Sequence, residues 1–138
     1  MKVSQKDIVN ISLNPTRGRE QRGIRPAVVI SGDAFHVSGL CVICPLTTKL
    51  HKFEGDVILK PDPINKLKAE SEVLVGHVRS VSLDRIGKKI GVIQTLQLEN
   101  IFQGIDLVFD RWSKPRVALC SYQCLNCFGV LKLIYFPL

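Results

Sequence analysis

Between Ile8 and Ile93 the chain is cut into short apolar runs whose connections are too brief to hold crossover helices, and this spacing restricts the fold more than any other feature. Strands joined without such helices pair antiparallel. Val9, Ile11 and Leu13 alternate with Asn10 and Ser12, the period of a half-buried strand. Further runs follow at Ala27–Ile30, Leu40–Leu46, Phe53–Leu59, Val73–Val75 and Val78–Val81, and "GKKIGVI" reads as a turn into a last strand at Ile90–Ile93. After Thr95, a residue type suited to an N-cap, the period changes. Leu98, Ile101, Phe102, Ile105, Val108 and Phe109 then fall on one face of an amphipathic helix. The expected fold is mainly β with α: a small, strongly curved antiparallel sheet or barrel closed by one helix.

At 138 residues the chain suits a single core, and with 46% apolar residues and no repeat or low-complexity tract it is globular rather than disordered. Nineteen basic against twelve acidic side chains leave a charge of +7, which favours a polyanionic partner. The surplus is uneven: the stretch from Arg111 to Leu138 holds Arg111, Lys114, Arg116 and Lys132 and no acid. We therefore divide the chain into a domain over 1–110 and a C-terminal tail over 111–138. The opening MKVSQKDIV has no apolar core of a secretory signal, and five cysteines, an odd number, fit a reducing cytoplasm.

One loop concentrates the basic charge. "NPTRGREQRGIRPAVVI" sets Arg17, Arg19, Arg22 and Arg25 around Glu20 and runs directly into an apolar strand. Pro15, Gly18 and Gly23 turn the backbone repeatedly, which can present side chains to a concave surface. Arg25 stands before Pro26, and a residue before proline is held extended, so its guanidinium is anchored at a strand edge rather than at a loop tip. A guanidinium grips phosphate oxygens in bidentate fashion. Thr47 and Thr48, after Pro45 and Leu46, add hydroxyl donors at a second strand end, followed by Lys49.

These stretches, "DIVNISLNPTRGREQRGIRPAVVIS", "LCVICPLTTK" and "IGKKIGVI", resemble in order the MazF/PemK toxins of bacterial toxin–antitoxin pairs, from Asp7 to about Val108. The resemblance implies an SH3-like small barrel that forms a homodimer. It also implies a cofactor-free, metal-independent endoribonuclease that cuts single-stranded RNA or mRNA at short sequences, and a cognate antitoxin that silences it. On the family pattern Arg25 and Thr47 match the catalytic arginine and threonine and Glu20 an acid near the site. Asn14, Pro15, Arg17, Gly18, Arg19, Gln21 and Arg22 match the loop bordering the RNA groove; Thr48, Lys49 and Arg79 are further RNA-binding candidates. Cleavage of RNA through its own 2′-hydroxyl needs a held phosphate, stabilised charge and moved protons, and an arginine with a threonine meets the first two demands. No dense carboxylate cluster of a two-metal nuclease is visible. Phe35, His36 and Phe53 are candidates for stacking on bases.

The chain departs from the family at Gly76 and His77, where many relatives carry Asp-Gln. His77 is either a general acid or base or a strand histidine satisfied by a carbonyl. In the tail, "CSYQCLNC" has the spacing of a radical-enzyme iron–sulfur motif but lacks the barrel that would follow it. Zinc shared by Cys41, Cys44, Cys124 and Cys127 would need Cys41 and Cys44 to converge, whereas residues three apart on a strand point to opposite faces; buried thiols fit them better. Val117–Leu138 is long enough for a membrane anchor but carries Lys132, which disfavours one. Two rival functions remain: an inert relative that binds RNA or antitoxin without turnover, and a DNA-binding regulator, disfavoured by the lack of a helix-turn-helix pattern.

Overall fold

The computed structural model describes residues 3–14, 18 and 23–109. Seven strands and one long helix follow in order: β1 (Asp7–Ser12), β2 (Ile24–Val29), β3 (Leu40–Thr47), β4 (Val57–Leu59), β5 (Ser71–Val73), β6 (Arg79–Ser82), β7 (Ile86–Val92) and α1 (Thr95–Val108). All recorded pairings are antiparallel, in the order β4-β5-β3-β2-β1-β7 with β6 also on β3. The sheet leaves β4 and β7 as its ends, a barrel-like architecture that does not close on itself.

β3 organises the sheet. Val28 and Val29 of β2 pair with its Cys44 and Ile43. On its other edge β6 takes Leu40–Ile43 and β5 takes Leu46–Thr47. Alternation along these strands feeds two apolar clusters. Ile8, Val28, Cys44, Leu46, Val73, Leu98 and Ile101 pack in one, under the helix. Val9, Ile11, Ala27, Val29, Cys41, Ile43 and Val81 pack in the other. Cys41 and Cys44 are thus buried thiols in opposite clusters, as their spacing on a strand requires.

Several boundaries differ from the sequence expectation, each for a local reason. Gly87, Lys88 and Lys89 belong to β7 itself rather than to a turn before it, because β1 is long enough to pair with that stretch through two register shifts. The run Phe53–Leu59 is strand only over Val57–Leu59; Val75–His77 is a 3₁₀ turn, so Gly76 and His77 do not lie on a strand. The helix is capped by Gln94, not Thr95: the Gln94 amide donates to Gln97 Oε1 at 2.8 Å.

The buried arc of α1 is rotated toward Gly104, leaving Phe102, Val108 and Phe109 exposed while Leu98 and Ile101 are buried. The cause is a backbone contact. A Cβ on Gly104 would stand 2.1 Å from the Gly55 carbonyl oxygen and 3.2 Å from Val75 Cγ1. Only glycine lets the helix approach the segment ahead of β4 so closely. Among the described residues no helix is long and apolar enough to cross a membrane. The tail features, "CSYQCLNC", Cys124, Cys127 and Val117–Leu138, lie outside the described residues.

Candidate active site

The N-terminal end of β2 and the C-terminal end of β3 meet at a cleft of about 270 Å3 lined by Ile24, Arg25, Pro26, Leu46, Thr47, Thr48 and Ser71. Strand pairing brings the ends together. Ala27 stands opposite Pro45 at the last pair of the β2–β3 ladder, and Arg25 and Thr47, two residues beyond it on either strand, both line the cleft. Arg25 is further fixed from behind, where it pairs with Ile11 of β1. Thr47 is buried to 7% exposure, and its Oγ1 accepts the Lys49 amide at 3.2 Å. That contact uses a lone pair and not the hydroxyl proton, so Thr47 retains the capacity to donate. Thr48 and Lys49 follow at the exposed rim.

The loop between β1 and β2 is closed at its neck. Leu13 donates its amide to the Gly23 carbonyl at 3.0 Å, and Gly23, at φ +82°, donates to Asn14 Oδ1 at 3.0 Å. Asn14 therefore ties the loop's base, a structural task that accounts for its amide without RNA. Gly18 is exposed with φ +62°, a left-handed turn suited to glycine. Pro15, Arg17, Arg19, Glu20, Gln21 and Arg22 lie outside the described residues.

The other sequence candidates are spread over the molecule. His77 and Gly76 line a separate cavity of about 460 Å3 together with His51, Phe53, Glu54, Asp56 and Val108, and neither borders the Arg25–Thr47 cleft. Phe53 is there too, exposed and stacked on His51 with ring centres 5.6 Å apart. Phe35 and His36 sit in the β2–β3 connection, at the end of the hairpin away from Arg25 and Thr47. His36 is committed to structure: its Nε2 meets Ser31 Oγ at 2.8 Å and its Nδ1 meets the Val3 carbonyl at 3.1 Å. Its side chain is 9% exposed, which leaves little ring face open to a base. Arg79 is half-buried on β6 opposite Ile43, on the face that carries Arg25 and Thr47.

Asp56, in the wall of the separate cavity, neighbours a buried acid, Glu72, that the sequence did not disclose. Glu72, opposite Thr47 across the β3–β5 pairing, is fully buried. Its two carboxylate oxygens accept the amides of His51 at 2.5 Å and Lys52 at 2.6 Å. Asp56 accepts the Val75 amide at 2.9 Å, and its carboxyl group lies close enough to Glu72 for the two to interact. Burial first, then the neighbouring Glu72 charge, push the Asp56 carboxyl above the usual carboxylate range, against the Val75 hydrogen bond and the His77 charge. The Cys44 thiol is pushed up to about 12, by burial and secondarily by Asp56. Among the described residues no three His, Cys, Asp or Glu side chains come together as metal ligands.

A curved antiparallel sheet with an arginine and a threonine lining one cleft, the arginine preceded in sequence by a basic stretch, defines one class of protein. The chain belongs to the PemK/MazF family: the family model described as "PemK-like, MazF-like toxin of type II toxin-antitoxin system" matches residues 4–109. Among its relatives is "Endoribonuclease toxin MazF" of Escherichia coli K12, 37% identical over 104 residues that cover 74% of this chain and 89% of the relative. "Endoribonuclease MazF9" of Mycobacterium tuberculosis is 26% identical over 113 residues, covering 78% and 96% of the two chains. A crystal structure of MazF from Deinococcus radiodurans superposes with a TM-score of 0.71 at 26% identity, over 80% of this chain and 98% of that one.

Proposed function

We propose that this chain is the toxin of a type II toxin–antitoxin pair, a metal-independent endoribonuclease acting in the cytoplasm on single-stranded RNA, mRNA included. The observation that carries the reading is the cleft beside the N-terminal end of β2 and the C-terminal end of β3, lined by Arg25 and Thr47 together with Thr48 and Ser71. Its lining supplies guanidinium and hydroxyl donors and, among the described residues, no carboxylate, a donor set for an anionic phosphate rather than for a cation.

The chemistry follows from what RNA provides. The 2′-oxygen attacks the adjacent phosphorus, its proton leaves to a base, the P–O5′ bond breaks, and the departing 5′-oxygen takes up a proton. The products are a 2′,3′-cyclic phosphate and a 5′-hydroxyl end. Arg25 grips the phosphoryl oxygens in the transition state, where charge has grown and a fixed donor is worth most. As the family resemblance implies, it also supplies the proton to the leaving 5′-oxygen. Thr47 donates to the same phosphate. Glu20, in the sequence between β1 and β2, is the acidic candidate for the 2′-hydroxyl proton, and Arg17, Arg19, Arg22, Lys49 and Arg79 are the candidates for holding flanking phosphates. Gly76 and His77, the departures from the family pattern, line the other cavity. Family membership supports a homodimer and an antitoxin partner; an acidic, partly disordered antitoxin segment would complement the basic groove.

Incubation of a long RNA with the protein in EDTA, with Arg25→Ala and Thr47→Ala in parallel, tests the reading. Cutting that persists in EDTA and falls by about 10²- to 10³-fold in Arg25→Ala is the expected result. Thr47→Ala should lose less, on the order of 10-fold, as a single neutral donor would. Binding without cutting by the native protein would show instead an inert binding module.

A further inference from the structure

We infer that Glu72 is a positioning residue of the RNA-cleaving cleft, acting through the β3–β4 connection that carries Thr48, Lys49 and the His51–Phe53 stack. The inference rests on the reading of the cleft given above.

Three observations converge on Glu72. It stands opposite Thr47, so it lies beside the point where β3 ends and the connection begins. It is fully buried, yet neither of its oxygens is idle: each takes one backbone amide, from His51 and from Lys52. Lys52 has φ +55°, a left-handed conformation that is unfavourable for a residue with a Cβ and persists only where its surroundings fix it. A buried carboxylate that accepts two consecutive amides is such a fixture. It holds the middle of the connection, while Thr47 Oγ1, taking the Lys49 amide, holds the near end.

Asp56 completes the device. Its carboxyl group is anchored by the Val75 amide at 2.9 Å and lies beside Glu72. Burial and the neighbouring Glu72 charge push the Asp56 carboxyl up, toward the protonated form that can donate to Glu72.

Glu72→Gln puts an NH2 group where one of the two loop amides must donate. A catalytic group misplaced by about 1 Å loses on the order of 10²-fold in rate, so kcat should fall by about 10- to 100-fold while KM moves by less than about 3-fold. Two further readouts separate positioning from general weakening of the fold. The His51 and Lys52 amides should exchange hydrogen faster in Glu72→Gln, with the β1 and β2 amides unchanged. The penalty of Glu72→Gln should also shrink in a Lys49→Ala background, because both changes act on one connection. Should Glu72→Gln fail to fold, the Asp56 pair decides. Asp56→Asn keeps an N–H donor toward Glu72 and should retain cutting within about 3-fold, whereas Asp56→Ala should lose about 10-fold. Native cutting that is undiminished in Glu72→Gln, or that falls equally in Asp56→Asn and Asp56→Ala, overturns this inference alone. A native protein that does not cut RNA overturns the reading of the cleft as well.

Discussion

At the scale of single residues, the site divides into groups that announce themselves and groups that do not. Arg25 and Thr47 are legible because each is tied to a local signal, a proline that fixes the backbone and a strand that ends in hydroxyls. Glu72 and Asp56 are illegible for the opposite reason. Each is one acid in an ordinary stretch, and its meaning comes from amides at 51, 52 and 75 that only the folded chain brings near. His77 shows the converse hazard, since a titratable residue at a family position lines a different cavity from the cleft. The Asp56 carboxyl, held above its ordinary value, keeps a proton in the native state that the unfolded chain releases. Its contribution to stability is therefore full below pH 3.8 and is lost as pH rises through the higher native value. Urea midpoints measured between about pH 4 and 7 should fall less steeply in Asp56→Asn than in the native protein. Cys44, with its thiol pushed up to about 12, is almost wholly protonated at neutral pH. Alkylation followed by peptide mapping should label Cys44 only after unfolding.

At the scale of elements, pattern gave type reliably and orientation poorly. The period of Leu98, Ile101 and Ile105 identified a helix, but the exposed Phe102 and Phe109 show that apolar spacing alone did not find its buried arc. Hydrophobicity marks the large residues, whereas the helix is seated by Gly104, where the smallest side chain permits the closest approach. Gly104→Ala would drive a methyl group to within 2.1 Å of the Gly55 carbonyl oxygen, so helix and loop must part. A loss of about 1–3 kcal/mol in unfolding free energy, measured by denaturant titration, is expected, as for overpacked cores. Strand limits erred in the same way: β7 extends upstream across two lysines because β1 supplies partners there, information that no window of residues 86–93 contains.

Over the whole molecule, the short connections specified an antiparallel sheet with a closing helix and excluded parallel α/β architectures, and the structure has that form. What they could not specify was that β3 serves three partners. Excess positive charge is likewise a property of the whole chain, and its effect is collective. RNA binding through phosphates releases counterions, so the logarithm of the association constant for a non-cleavable 2′-O-methyl RNA should fall linearly with that of salt, with a slope of about −0.7 per phosphate contacted. Arg25→Ala should reduce that slope by roughly one contact.

The strand shared by β2, β5 and β6 also limits how this protein can fail. Sliding β3 by one residue would exchange the contents of two apolar clusters, unseat Cys41 and Cys44 together, and turn Thr47 from Arg25 to the opposite side. Loss of the cleft by that route is loss of the fold. A population of such molecules is therefore divided between those that are intact and able to cut and those that are unfolded, with no misregistered form surviving between them.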